Sequence, residues 1–241
     1  MVEKIGFVFD LDGTLINSTD IGEVIKKKLY QRFNIKTNEK LEKEIEELQY
    51  EIMQGENRKN LGAKIMWAIF KKLGLSFFQR MKALKMANSI FKEEIQKIKL
   101  YDGTEELIEY LDSYPNRYDY AIATTSSAKE VDDRLKKFPT FYQKFDGKII
   151  SRDSVKNLKP DPESIIKAAN AMAIPLHNIV MIGDMHSDIQ MGKAVGVVTI
   201  GVLTGIFSRE EFLKHSPDFI FQSIKDIIDN IEKIKEKIIN N

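Results

Sequence analysis

Four short stretches hold the residues that could do chemistry: FDLDGT (9–14), ATTSS (123–127), NLKPDP (157–162) and GDMHSD (183–188). Three of them directly follow an apolar run. They supply Asp10 and Asp12, then Thr124, Thr125, Ser126 and Ser127, then Lys159, and finally Asp184 and Asp188. Taken singly, each also reads as a solvated turn or a helix cap. Taken together they suggest something narrower. Several carboxylates at one point cannot all stay ionised without a cation between them. A donor set made of oxygen, without cysteine, favours Mg2+. A lysine and a threonine hydroxyl opposite those acids would hold an anion, and beside Mg2+ the obvious anion is a phosphate. A carboxylate can itself attack phosphorus to give an aspartyl-phosphate. These residue types predict phosphoryl transfer.

For the four stretches to meet, the chain must bring several strand ends to one rim. Residues 4–9 read as a buried strand that stops at Asp10. From Tyr101 onward, apolar runs at 120–124, 148–150, 178–184, 196–203 and 219–221 alternate with helical patterns at 104–112, 128–137, 162–173, 187–194 and 209–214. That alternation predicts βαβ units and an α/β Rossmann-like fold with a parallel sheet covered on both faces. In such a sheet ligands bind beyond the carboxyl ends of the strands, where the candidate residues fall. Asp161 reads as the cap of the helix after Lys159, with Pro162 in its first turn. A last helix carries Ile224, Ile227, Ile228, Ile231, Ile234 and Ile238 on one side.

Between about Ser18 and Lys97 the pattern is helical throughout. Leu41, Ile45, Leu48 and Ile52 share a face, as do Ile65, Ile69 and Leu73. The expected organisation is therefore an α/β core made of 1–16 and 99–241, with an inserted all-helical domain at 17–98. The insertion holds 17 Lys/Arg and 11 Asp/Glu, against 20 and 25 in the remainder, so it is the basic part.

Composition excludes other classes. Hydrophobic residues make up 43% of the 241 positions, enough for a real core. Lys and Arg (37) nearly balance Asp and Glu (36), so no global field draws the chain to nucleic acid or an anionic membrane. The absence of cysteine removes disulfides and thiolate chemistry. No apolar run approaches the roughly 20 residues of a membrane helix, and MVEKIGFVF does not read as a signal peptide. The expectation is a cytoplasmic protein, a monomer or a homodimer.

FDLDGT, IATTSS, LKPDP and GDMHSD, in this order and spacing, resemble the four motifs of the haloacid dehalogenase superfamily, over residues 4 to about 230. The resemblance implies that Asp10 is the nucleophile and also binds Mg2+. It makes Asp12 the acid that protonates the leaving alcohol and then the base that activates water, its carbonyl also binding the metal. Thr124 and Lys159 would hold the phosphoryl oxygens, with Gly13, Thr14 and Thr125 also at the substrate; the register favours Thr124 over Thr125 as the motif residue. Asp184 would ligate Mg2+ and Asp188 would support it, directly or through water. An acid at position 12 argues for an oxygen leaving group, as in a phosphatase or a phosphomutase.

The insertion is similar in position and size to the helical cap of phosphoglycolate-phosphatase-like and β-phosphoglucomutase-like members. Such caps close over the site and restrict it to small phosphorylated metabolites. Within it, GENR resembles a loop through which Arg58 would reach the substrate. His186 reads as part of the rim, and Lys193 as a helix decoration. The leading expectation is a Mg2+-dependent phosphatase acting on a phosphate monoester. A phosphomutase with the same nucleophile is the rival, and a non-catalytic phosphate-binding protein is a more distant one.

Overall fold

Ile5–Phe9 (IGFVF) is buried at all five positions and forms β1. A strand with no polar face has to be covered on both sides, and β1 lies inside a six-stranded sheet. The other strands are β2 (Ile16–Asn17), β3 (Lys99–Leu100), β4 (Tyr118–Ala123), β5 (Ile149–Ile150), β6 (Ile179–Gly183), β7 (Val198–Val202) and β8 (Phe219–Phe221). The sheet runs β5-β4-β1-β6-β7-β8, and all its pairings are parallel. From β1 the chain builds outward on one side through β4 and β5, then crosses to β6 on the other. The strand order therefore reverses at β1, which makes its carboxyl end the natural ligand crevice of an open sheet.

The computed structural model describes residues 4–54, 61–205 and 207–241. The chain divides into two compact units, Met1–Thr19 with Ile98–Asn241, and Asp20–Lys97. In the first, β2 and β3 form a small antiparallel ribbon in which Asn17 pairs with Lys99. These two-residue strands were not expected from the sequence, since two residues carry no periodicity. They join the points where the chain leaves this unit and returns to it.

The second unit is helical, with α1 (Thr19–Phe33), α2 (Glu39–Gln54), α3 (Leu61–Lys72) and α4 (Phe77–Glu94), the last followed by a 3-10 turn, Ile95–Lys97. Leu29, Phe70, Leu75, Ala83 and Ala87 form its centre. Ser76 starts α4 with a capping box in which its hydroxyl and the Gln79 side chain satisfy each other's backbone N–H. Ion pairs Lys26–Glu42 (2.7 Å) and Lys28–Glu94 (3.2 Å) tie α1 to α2 and to α4.

The sheet is clad by α5 (Thr104–Asp112), α6 (Ala128–Leu135), α7 (Pro139–Gln143), α8 (Glu163–Met172), α9 (His186–Ala194), α10 (Arg209–Leu213), α11 (Asp226–Asp229) and α12 (Ile231–Ile239). Ile165, Ala168, Ala169 and Met172 of α8, with Met191 of α9, pack on Val8, Ala121 and Met181 of the sheet. Small alanines let α8 lie close to the strands. Two expectations are corrected. The helix after Lys159 begins at Glu163 rather than at Pro162, although the Asp161 carboxylate still accepts from Glu163 N (3.0 Å). The last helix is two pieces, because Asn230 leaves helical geometry and its side-chain amide donates to Asp226 O (2.8 Å).

Candidate active site

Asp10 is the first residue after β1, and its N–H still donates to Ile182 O (2.8 Å), so the ladder carries it to the rim before the chain turns. The turn is tight: Leu15 and Ile16 N both donate to Leu11 O, and Gly13 N donates to Ile16 O, each at 3.0 Å. Gly13 has φ of 85°, a conformation open to glycine at little cost. A side chain there would also collide with the Asp184 carboxylate, as would one at Gly205. The absence of side chains at these two glycines lets Asp184, at the end of β6, lie against both loops.

Lys159 draws two of the acids together. Its ammonium donates to Asp10 Oδ1 (2.5 Å) and to Asp188 Oδ1 (2.7 Å), and it is only 3% exposed. Asp188 sits in the first turn of α9 and also accepts from Met185 N (3.1 Å) through Oδ2. Both of its oxygens are thus engaged by protein groups. Thr14 Oγ1 donates to Asp184 Oδ1 (3.4 Å), and Thr204 Oγ1 donates to Gly13 O (2.6 Å), fastening the turn from the far side.

Burial pushes the Asp10 carboxyl up to about 7, with Asp188 and Asp12 adding to the effect and Lys159 opposing it. Burial likewise raises Asp184 well above the ordinary carboxylate range, helped by Asp10 and Asp188. Burial alone would lower Lys159, but the charges of Asp10 and Asp188 outweigh it and hold the ammonium protonated. With all three carboxylates ionised against one ammonium, two negative charges would be left unbalanced. Among the described residues no group of acids is already arranged as a finished metal cage. The two excess charges and the oxygen-only donors nevertheless match what a hard divalent cation requires.

The hydroxyl residues after β4 divide their tasks. Thr124 is buried, keeps the ladder through its N–H to Ile150 O (2.9 Å), and accepts from Ser126 N (3.1 Å) through Oγ1. Thr125 is half-buried. Ser126 Oγ donates to Asp12 Oδ2 (2.9 Å), and Arg134 stands on the other side of that carboxylate, its Nε 3.1 Å from Asp12 Oδ1. From the sequence Ser126 was named only as one of four hydroxyl residues after an apolar run, with no role of its own, and Arg134 was not singled out. A signal for Arg134 was present: with Val131 and Leu135 it occupies the buried stripe of α6, where a charge needs a partner.

His186 corrects another expectation. It is 2% exposed rather than at the rim, stacked on Phe207 with ring centres 5.2 Å apart and 5.3 Å from the ring of His215. Lys193 pairs with Asp218 (3.2 Å). Gly55 and Arg58 lie outside the described residues. Asp10, Lys159 and Asp188 are thus in direct contact, Asp184 lies against the Gly13 turn, and Asp12 faces α6.

A family model described as haloacid dehalogenase-like hydrolase matches residues 7–202. A pyrophosphatase PpaX from Listeria monocytogenes is 28% identical over 221 residues, covering 92% of this chain and 93% of its own. The PpaX of Bacillus pumilus is 38% identical over a shorter stretch of 80 residues, 33% of this chain and 37% of its own. Among solved structures, a predicted phosphoglycolate phosphatase from Haemophilus somnus superposes with a TM-score of 0.71 at 20% identity, covering 95% of this chain and 98% of its own. A candidate beta-phosphoglucomutase from Thermotoga maritima gives 0.69 at 19% identity, with 95% and 99% covered. At such identities these likenesses speak for the fold.

Proposed function

The chain belongs to the haloacid dehalogenase-like hydrolase family, and from that premise we propose that it is a Mg2+-dependent phosphatase working through an aspartyl-phosphate on Asp10. The observation that carries this reading is the buried contact of Lys159 with Asp10 and Asp188, beside Asp184. An acid that is to attack a phosphoryl group must be ionised and close to positive charge, and Lys159 supplies that charge from within the fold.

In this reading Asp10 uses one carboxylate oxygen as the nucleophile. Lys159, with the Thr124 hydroxyl, holds the phosphoryl oxygens as negative charge spreads over them. Asp12 gives its proton to the leaving oxygen and takes one from the water that later cleaves the acyl phosphate. Asp10, Asp184 and the Asp12 carbonyl would hold Mg2+, with Asp188 supporting them through Lys159. When bound, the ion would offset the two excess charges and draw electron density from the phosphoryl group. Gly13, Thr14 and Thr125 would border the phosphate.

The proposed substrates are small phosphorylated metabolites, with no nucleic acid or membrane partner; among the described residues no helix is long and apolar enough to cross a membrane. The names of the PpaX relatives favour a second substrate class, inorganic pyrophosphate, on which the same nucleophile would act. Release of inorganic phosphate from a panel of phosphate monoesters and from pyrophosphate, with Mg2+ and with EDTA, separates the two. The helical unit, Asp20–Lys97, is proposed to act as the cap that selects among them. Conversion of a sugar 1-phosphate to its 6-phosphate without free phosphate would instead identify a mutase.

A further inference from the structure

Asp12 is held from behind by two residues of the segment that follows β4. Ser126 Oγ donates to its Oδ2 (2.9 Å), Arg134 Nε lies 3.1 Å from its Oδ1, and Arg134 Nη1 donates to Ser126 Oγ (3.2 Å). The three side chains therefore close a ring in which every member touches the other two. The Arg134 side chain is 9% exposed and that of Asp12 is 29%, so the guanidinium lies underneath and the carboxylate keeps an open side. Nε–H and Oδ1 are both buried and neither is in an aligned hydrogen bond, so this edge of the ring is an ion pair rather than a directed bond.

We propose that Arg134, acting with Ser126, is the positioning residue that fixes the Asp12 carboxylate for proton transfer. A buried guanidinium is costly unless paired, so the placement of Arg134 on the apolar stripe of α6 needs a reason. Its ion-pair partner is the one acid of the Gly13 turn that Lys159 does not engage. Aspartate has two side-chain torsions, and an acid placed even an ångström away from the leaving oxygen transfers its proton poorly. Contacts to both Oδ atoms from one face remove that freedom. Arg134 stands on α6 and Ser126 immediately precedes its cap, where Ser127 forms a capping box with Glu130, so both contacts are anchored to one helix start.

This inference rests on the reading of Asp12 as the acid and base. The test compares an alkyl phosphate with a nitrophenyl phosphate for the unaltered enzyme and for D12N, R134Q, R134K, S126A and D12N/R134Q. A nitrophenolate departs without a proton and an alkoxide does not, so loss of a positioned acid shows in the ratio of the two rates. The ratio is taken in kcat/KM, which reports departure of the leaving group and not the later hydrolysis of the acyl phosphate that Asp12 also serves; for R134Q it is expected to fall about tenfold or more on the alkyl ester while the nitrophenyl ester loses far less. S126A should move the ratio in the same direction, R134K should recover part of it, and R134Q should add nothing in the D12N background. S126A and R134K keep the comparison open should R134Q fold poorly. If D12N shifts the ratio but R134Q and S126A leave it alone, or lower both rates equally, the positioning role is overturned and that of Asp12 stands. If D12N itself leaves the ratio alone, the reading of Asp12 is overturned.

Discussion

Lys159 and the acids around it set the behaviour of the site at the scale of single residues. Replacing Lys159 by methionine leaves Asp10 and Asp188 buried and facing each other without a cation. Breaking a buried pair in this way costs about 3–5 kcal/mol, to be read by denaturant titration, and the same variant is expected to lose phosphatase activity. Asp10 has a second consequence. Its carboxyl, at about 7 in the fold against 3.8 ordinarily, keeps a proton over a range where the unfolded chain has released it. Its penalty on folding is therefore absent below the lower value, grows as pH rises between the two, and is complete above the upper one. The melting temperature in EDTA should decline across that interval, and the rise produced by Mg2+ should be larger at about pH 8 than at about pH 5. An equal rise at both would argue against Asp10 as a ligand. Asp10, Asp12, Lys159, Asp184 and Asp188 could be picked out as candidates because carboxylates at strand ends, and a lysine just before a helix, stand out against apolar runs. Arg134 was not picked out, since in the run KEVDDR it reads as one more charge, and only its place on one face of α6 with Val131 and Leu135 sets it apart.

At the scale of elements, the turn after β1 is the part most sensitive to small change. G13A would force a side chain into a left-handed backbone and into the space of the Asp184 carboxylate. The variant is expected to weaken Mg2+ dependence, seen as a raised concentration for half-maximal activity, and to lose on the order of 1 kcal/mol or more from backbone strain. The long apolar strands and amphipathic helices could be read beforehand, since each repeats its period often enough to be distinctive. The β2–β3 ribbon could not, being too short for any period. The break at Asn230 was hidden by isoleucines that keep one face across it, while the amide of that residue competes for the backbone. His186 looked polar in the sequence and is buried among rings because α9 turns it inward onto Phe207.

At the scale of the whole molecule, the chain divides its labour between a parallel sheet that gathers the acids and a helical unit with a core of its own. Pairing of Asn17 with Lys99 holds the two ends of the sheet-bearing unit side by side where the helical unit departs. Replacing 20–97 by a short glycine-rich turn is therefore expected to leave a cooperatively unfolding α/β unit, observable by circular dichroism on heating. Loss of the transition would show that the sheet needs the insertion to fold. The expected insertion at 17–98 came from the change to uninterrupted helical period after about Ser18 and back to strand–helix alternation from Tyr101; the compact helical unit spans Asp20–Lys97. What the sequence could not give was how Asp12 is held, since that depends on side chains from separate segments meeting over the rim. The proposed mechanism turns on Asp10 taking the phosphoryl group. The direct measurement is rapid acid quenching during turnover of a phosphate ester with Mg2+, followed by mass spectrometry of the peptide that contains FDLDGT. A phosphoryl group on Asp10, absent in D10N and in EDTA, is the predicted result; turnover that continues in D10N with no phosphorylated peptide would contradict it.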